Sequence, residues 1–157
     1  MKTSIILLAS ILLCTGCVKT SDPSPASNLA AGSGSWSYGG NTFTVTAASW
    51  VSSTLVASAN KVHSSALEAS FNSATPATGD YTISTNGQVN SGNQVIISVV
   101  DSTLPAITYE SVNASGTVSV TRSGSSTTIT VTNLKLLGIT SKLVADSIYV
   151  TGTITKK

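Results

Sequence analysis

Across residues 116–133 the chain alternates without a slip: valine or isoleucine stands at 118, 120, 129 and 131, and threonine or serine at 117, 119, 121, 128, 130 and 132. A period of two is the signature of a strand with one face buried and one wetted. Ser123-Gly124-Ser125-Ser126 interrupts the pattern with turn formers, so residues 116–122 and 127–133 are predicted to fold back as a hairpin. Val118, Val120, Ile129 and Val131 then face inward, and the hydroxyls form a cross-strand outer surface. A slip of one residue would bury every threonine and expose every valine, so the register has one solution. The aliphatic face of such a hairpin must be covered by more sheet.

The same period recurs along most of the chain. Residues 41–50 place Phe43, Val45 and Ala47 on one face, with 35–38 as the partner across a Gly39-Gly40-Asn41 turn. Residues 53–59 and 66–71 continue it, the latter with Leu67, Ala69 and Phe71 opposite Glu68 and Ser70, although a helix over 61–71 is an alternative there. Residues 81–84 form a short strand, 86–93 an open loop and 106–112 a further strand. Residues 95–100 are the most continuously apolar run after the leader, which predicts a strand covered on both faces. Residues 134–145 are ambiguous, and 147–155 form a last strand with Ile148, Val150 and Ile154 on one face. Composition agrees: about a third of the chain is Ser or Thr, and branching at Cβ suits a pleated, half-buried strand. The predicted fold is all-β, an antiparallel meander of about nine or ten strands folded into a β-sandwich or small barrel, in one domain over residues 35–157.

The N-terminus reads differently. Lys2 precedes an apolar stretch at 5–13, then Thr15-Gly16 supply small residues directly before Cys17. The apolar run is about half the ~20 residues that a bilayer requires, so it is a leader rather than a span. The junction Leu13-Cys14-Thr15-Gly16-Cys17 resembles the lipobox of bacterial lipoproteins. Cys14 stands where that motif prefers leucine, and bulky Leu13 makes Cys14 the poorer acceptor. The resemblance implies removal of residues 1–16, diacylation of the Cys17 sulfur, and anchorage in the cell envelope at the outer membrane. Residues 17–34 then form the lipidated N-terminus and a tether rich in Ser, Pro and Gly, reaching roughly 20 to 25 Å as a random coil. Many Bacteroidota lipoproteins carry an acidic run after the cysteine when they are exported to the surface. Val18-Lys19-Thr20-Ser21-Asp22 has one acid, so the periplasmic or surface face stays open. The C-terminal repeats of alternating Thr and Val, with Ile148-Tyr149-Val150-Thr151-Gly152-Thr153-Ile154, are similar to small uncharacterised all-β lipoproteins of Bacteroidota.

Chemistry-bearing residues are few. Cys14 and Cys17 are the only cysteines and both lie at the leader junction, leaving no thiol in the domain for a disulfide or nucleophile. His63 is the only histidine, so neither a His-rich metal site nor a triad is indicated. Glu68, Asp101 and Glu110 could supply a carboxylate pair for glycoside hydrolysis, but their spacing does not require it. Charged residues make up 9% of the chain and the formal charge is +2 with no basic stripe, which argues against nucleic acid. No cofactor motif is present. Trp36, Tyr38 and Trp50 could form an exposed aromatic platform for sugars, although core packing is the commoner role of such residues. Asp101-Ser102-Thr103 and Asp146-Ser147-Ile148 resemble the O-glycosylation motif of secreted Bacteroidota proteins, which marks Ser102 and Ser147. Asn113-Ala114-Ser115 fits the eukaryotic sequon, which has no meaning in a bacterial lipoprotein. The expected protein is a non-catalytic envelope lipoprotein that binds a glycan or an envelope protein. The alternative is a lipocalin-like carrier of a small apolar ligand, for which an interior cavity is the distinguishing feature.

Overall fold

A computed structural model describes residues 31–59, 65–102, 106–111, 116–139 and 146–157. Wherever valines alternate with hydroxyls the chain is extended, and ten strands result: β1 Gly32–Tyr38, β2 Asn41–Val51, β3 Thr54–Ala59, β4 Ser65–Ser70, β5 Gly79–Ile83, β6 Gln94–Asp101, β7 Ile107–Glu110, β8 Thr117–Ser123, β9 Ser126–Ile139 and β10 Ser147–Lys156. All belong to one sheet in the order β10-β1-β2-β3-β4-β6-β5-β8-β9-β7, and two further pairings, β10 with β9 and β6 with β7, close it into a ring. The all-β expectation holds, and the closure makes the ring a small barrel. Among the described residues no helix is long and apolar enough to cross a membrane.

The ring is staggered. Thr127 lies level with Lys156 and Gly32, while Ala47, Ser58, Ala66, Val100 and Thr108 lead the same way round to Ile139, twelve residues further along β9. Such a stagger tilts the strands against the barrel axis and sets the width of the interior. Long β9 carries two partners on one side, β8 along its first half and β7 near its end. Strands β5 and β7 likewise occupy one lane beside β6 and meet near its middle. That junction is closed by Ser84 and Ser111, both 0% exposed. Ser111 Oγ accepts from the Ile97 backbone N at 2.8 Å, and Ser84 donates to Asn86 Oδ1 at 3.0 Å, so neither hydroxyl is stranded.

Inward positions build one continuous core that includes Trp36, Leu55, Leu67, Ile97, Ile129, Leu134, Leu136 and Ile154. Burying one such aliphatic side chain contributes about 1.5 to 3 kcal/mol. The predicted hairpin is present with its register: Val118 pairs with Val131 and Val120 with Ile129, all at most 1% exposed, across a tight turn at Gly124-Ser125.

Four local expectations are corrected, and two open stretches resolve. First, β5 pairs parallel to β6, so the sheet is mixed and does not meander throughout. Second, Ala48 is buried rather than Ala47, because a β-bulge between Val45 and Ala47 inserts Thr46 and shifts the phase of β2. Third, β6 alternates: Val95, Ile97 and Val99 are fully buried while Ile96, Ser98 and Val100 are half-buried, since a closed single layer has one interior. Fourth, β1 begins at Gly32, inside the predicted tether. Glycine is needed there, because a Cβ on Gly34 would lie 2.0 Å from the Thr153 carbonyl oxygen and one on Gly32 2.7 Å from Ala48 Cβ. Of the two open stretches, the one after residue 133 is strand as far as Ile139, and residues 65–70 are the expected strand and not the alternative helix. At Asn133 a φ of 48° marks a second bulge, which moves the inward phase from Val131 to Leu134, and its backbone N donates to Thr151 Oγ1 at 3.0 Å.

Candidate binding surface

Outward positions of five adjacent strands, β8, β9, β10, β1 and β2, carry hydroxyls in register. One row runs Thr121, Thr128, Thr155, Ser33 and the next runs Ser119, Thr130, Thr153, Ser35, Thr44. A third combines Thr117 and Thr132 with Thr151, Ser37 and Thr42. Strand spacing puts neighbours in a row about 4.8 Å apart and successive rows about 6.8 Å apart. Every member is exposed or half-buried, and no charged side chain stands within the rows. Some hydroxyls pair across strands, Thr128 with Thr155 at 2.9 Å and Thr130 with Thr153 at 3.4 Å.

Beside this face the outer surface is indented. Thr46, Ser58, Ala59, Ser65, Ala66, Val100 and Ser102 line an open groove of about 450 Å³. Small side chains on β3 and β4 make the depression, and the Thr46 bulge forms one wall. Thr46 Oγ1 donates to the Ser58 carbonyl at 3.0 Å. Ser65, 3% exposed, lies 3.4 Å from the Tyr38 hydroxyl, which donates to Asp101 Oδ2 at 2.9 Å. Burial pushes the Tyr38 phenol up to about 12; the Ser65 hydrogen bond works against this, while the hydrogen bond to Asp101 and its charge add to it. Tyr109 is likewise raised, by burial first and then by Asp146 and Asp101.

The remaining predicted site residues are scattered. Trp36 and Tyr38 are 1% and 7% exposed and stack with Phe43 at 5.6 and 4.8 Å, so they belong to the core and form no exposed platform. Trp50 is half-buried at the other end of the barrel, 6.1 Å from Phe71. Packing decides this: large rings carry the most apolar area, so burying them against one another is favoured over exposing them. Ser102 is exposed and Ser147 half-buried at the start of β10, its backbone N donating to Asp146 Oδ1 at 2.8 Å. Glu68 and Glu110 flank Ser98 from opposite sides on the convex face, about 10 Å apart by strand spacing, while Asp101 is engaged with Tyr38. Among the described residues no group of three or more His, Cys, Asp or Glu could hold a metal ion. Cys14, Cys17, His63, Thr103 and Asn113 lie outside the described residues.

Sequence reasoning missed the groove and the Tyr38–Asp101 link. The small-residue runs Ala57-Ser58-Ala59 and Ser64-Ser65-Ala66 were a legible sign of an indented surface. Nothing local ties Tyr38 to Asp101, which are 63 residues apart. Compared with known proteins, the chain matches no family model, no curated protein and no solved structure.

Proposed function

We propose that the protein is an envelope lipoprotein of the non-catalytic, binding kind, held at the outer membrane by acyl chains on Cys17 and engaging a glycan or envelope protein through its outer surface. The observation that carries the binding part is the uncharged hydroxyl face, kept in register over five strands. Hydroxyls both donate and accept, so such a face can meet polyhydroxylated ligands or backbone amides without desolvating a charge. The anchoring part rests on the Leu13-Cys14-Thr15-Gly16-Cys17 junction. A carrier would need interior room, and here Trp36, Leu67, Ile97 and Leu136 project into the space that an apolar ligand would take.

Metabolic labelling with a fatty-acid analogue tests the anchor. The unaltered chain is expected to take up label and sediment with membranes, and Cys17→Ser to lose both. Label retained by Cys17→Ser would refute the lipoprotein assignment.

A further inference from the structure

The rim of the barrel at which the chain enters β1 combines exposed apolar surface with cations. Gly32 pairs with Lys156, Lys156 with Thr127, and Thr127 with Arg122. Arg122 and Lys156 thus flank Thr127, about 10 Å apart by two strand spacings, and Lys157 follows. On its other side Gly32 lies against Ala48, and Val51 is three residues further out, about 10 Å along β2. Val51 opens the tight turn into β3 and, at 60%, is the most exposed large apolar side chain among the described residues. Trp50 beside it is half-buried against Phe71. A phospholipid surface takes this combination: cations meet phosphates, an aliphatic tip enters the acyl boundary, and an indole settles at the headgroups.

The opposite end fits such a surface less well. Leu137, Ile139 and Tyr149 are exposed towards it, but among the described residues Asp101, Glu110 and Asp146 outnumber Lys135 there. An anionic surface repels that balance, and the chain enters the domain at the other end. At the entry rim, exposed Asp80 and the C-terminal carboxylate offset part of the positive charge, so the attraction is modest. Modest attraction suffices for a tethered domain. A tether of roughly 20 to 25 Å holds it at a local concentration on the order of millimolar, where weak surface binding fixes orientation. We propose that this rim is a membrane-docking surface, seated on an anionic phospholipid leaflet with Val51 inserted and Arg122, Lys156 and Lys157 on the phosphates. The proposal rests on the lipoprotein reading, since the anchor supplies the nearness to the bilayer.

The chain from Cys17 onward has one thiol and contains all ten strands, so Cys17 can be coupled to a maleimide lipid in vesicles. This supplies an anchor whether or not the cell adds one. The vesicles are phosphatidylcholine alone or with phosphatidylglycerol, and carry a headgroup nitroxide lipid that quenches tryptophan. Emission should fall on the anionic vesicles and recover with added salt, and most of the fall should be absent from Trp50→Phe. Val51→Ser should move the ratio of docked to free domain about fivefold towards free. Lys156→Gln with Lys157→Gln should move it about tenfold, melting temperatures being unchanged. No loss of emission on anionic vesicles would overturn the proposal, as would a loss equal on both vesicle types and indifferent to these substitutions. So would docking that Leu137→Ser with Tyr149→Ser abolishes, which would place the opposite end on the bilayer. The labelling experiment judges the anchor separately: label lost from Cys17→Ser beside an unquenched Trp50 would refute the orientation and leave the lipoprotein reading intact.

Discussion

Gly152 shows how little room single positions leave in this barrel. It occupies an inward position of β10 between Val150 and Ile154, and a Cβ built on it would lie 2.5 Å from Trp36 Cβ and 2.6 Å from the Ser35 carbonyl oxygen. The missing side chain leaves room for Trp36, which is paired directly opposite and stacks on Phe43. Gly152→Ala should therefore cost about 2 to 3 kcal/mol in urea unfolding, as overpacking does. Gly124→Ala, with nothing within 4 Å of the added atom and only a φ of 59° to tolerate, should cost about 1 kcal/mol. Equal losses would mean that backbone freedom, not space, selects glycine at 152. Tyr38 is the second sensitive residue. Its phenol titrates near 10 when unfolded and is raised to about 12 in the fold, so the stabilisation is complete below pH 10 and lost as pH rises towards 12. Thermal unfolding followed from pH 9 to 12 should show a fall approaching about 1.4 kcal/mol per pH unit from this group. Tyr38→Phe should flatten that fall, leaving the smaller contributions of Tyr81 and Tyr109, whose phenols are also raised by burial.

The β8–β9 hairpin ties strand identity to strand facing most tightly. Val118 is 0% exposed while Ser119 looks outward in the hydroxyl row beside Thr130. Val118→Asp buries a charge with no partner and should unfold the domain, a loss of about 4 kcal/mol or more. Ser119→Asp should shift stability by no more than about 0.5 kcal/mol. Matching melting temperatures for the two variants would refute the register. Two bulges, at Thr46 and Asn133, break the alternation on β2 and β9, and each shifts which side chains face inward. The bulge on β2 also places Thr46 in the groove wall.

At the scale of the molecule, β10 is the closing strand. It bonds to β9 on one side and β1 on the other, and Gly32 beside Lys156 brings the two ends of the domain together. Removing residues 147–157 would open the ring and expose two long unpaired edges, on β1 and β9, which invite pairing between chains. The truncated protein should lose its cooperative thermal transition and appear as aggregate in size-exclusion chromatography. A monomeric species with an intact near-ultraviolet circular dichroism spectrum would show that closure is not required for the core. Arg122, Lys156 and Lys157 lie towards the end where the chain enters β1, and Asp101 and Asp146 towards the other, near Tyr38 and the Ser102 end of the groove.

Sequence alone determined which segments are strands, which side chains face inward on most of them, and where the sharpest hairpin turns, because alternation and turn chemistry are local and act within a few residues. Val118, Val120, Ile129 and Val131 needed no partner in view to be placed. The proposed lipid site likewise rests on sequence alone, on the five residues that end at Cys17. Tertiary structure alone decided that the sheet closes, that β5 runs parallel to β6, and that Ala48 rather than Ala47 points inward. It also drew Tyr38, Ser65 and Asp101 together into one hydrogen-bonded chain behind the groove. These features join strands far apart in sequence, and each depends on the stagger of a closed ring, which no single strand encodes.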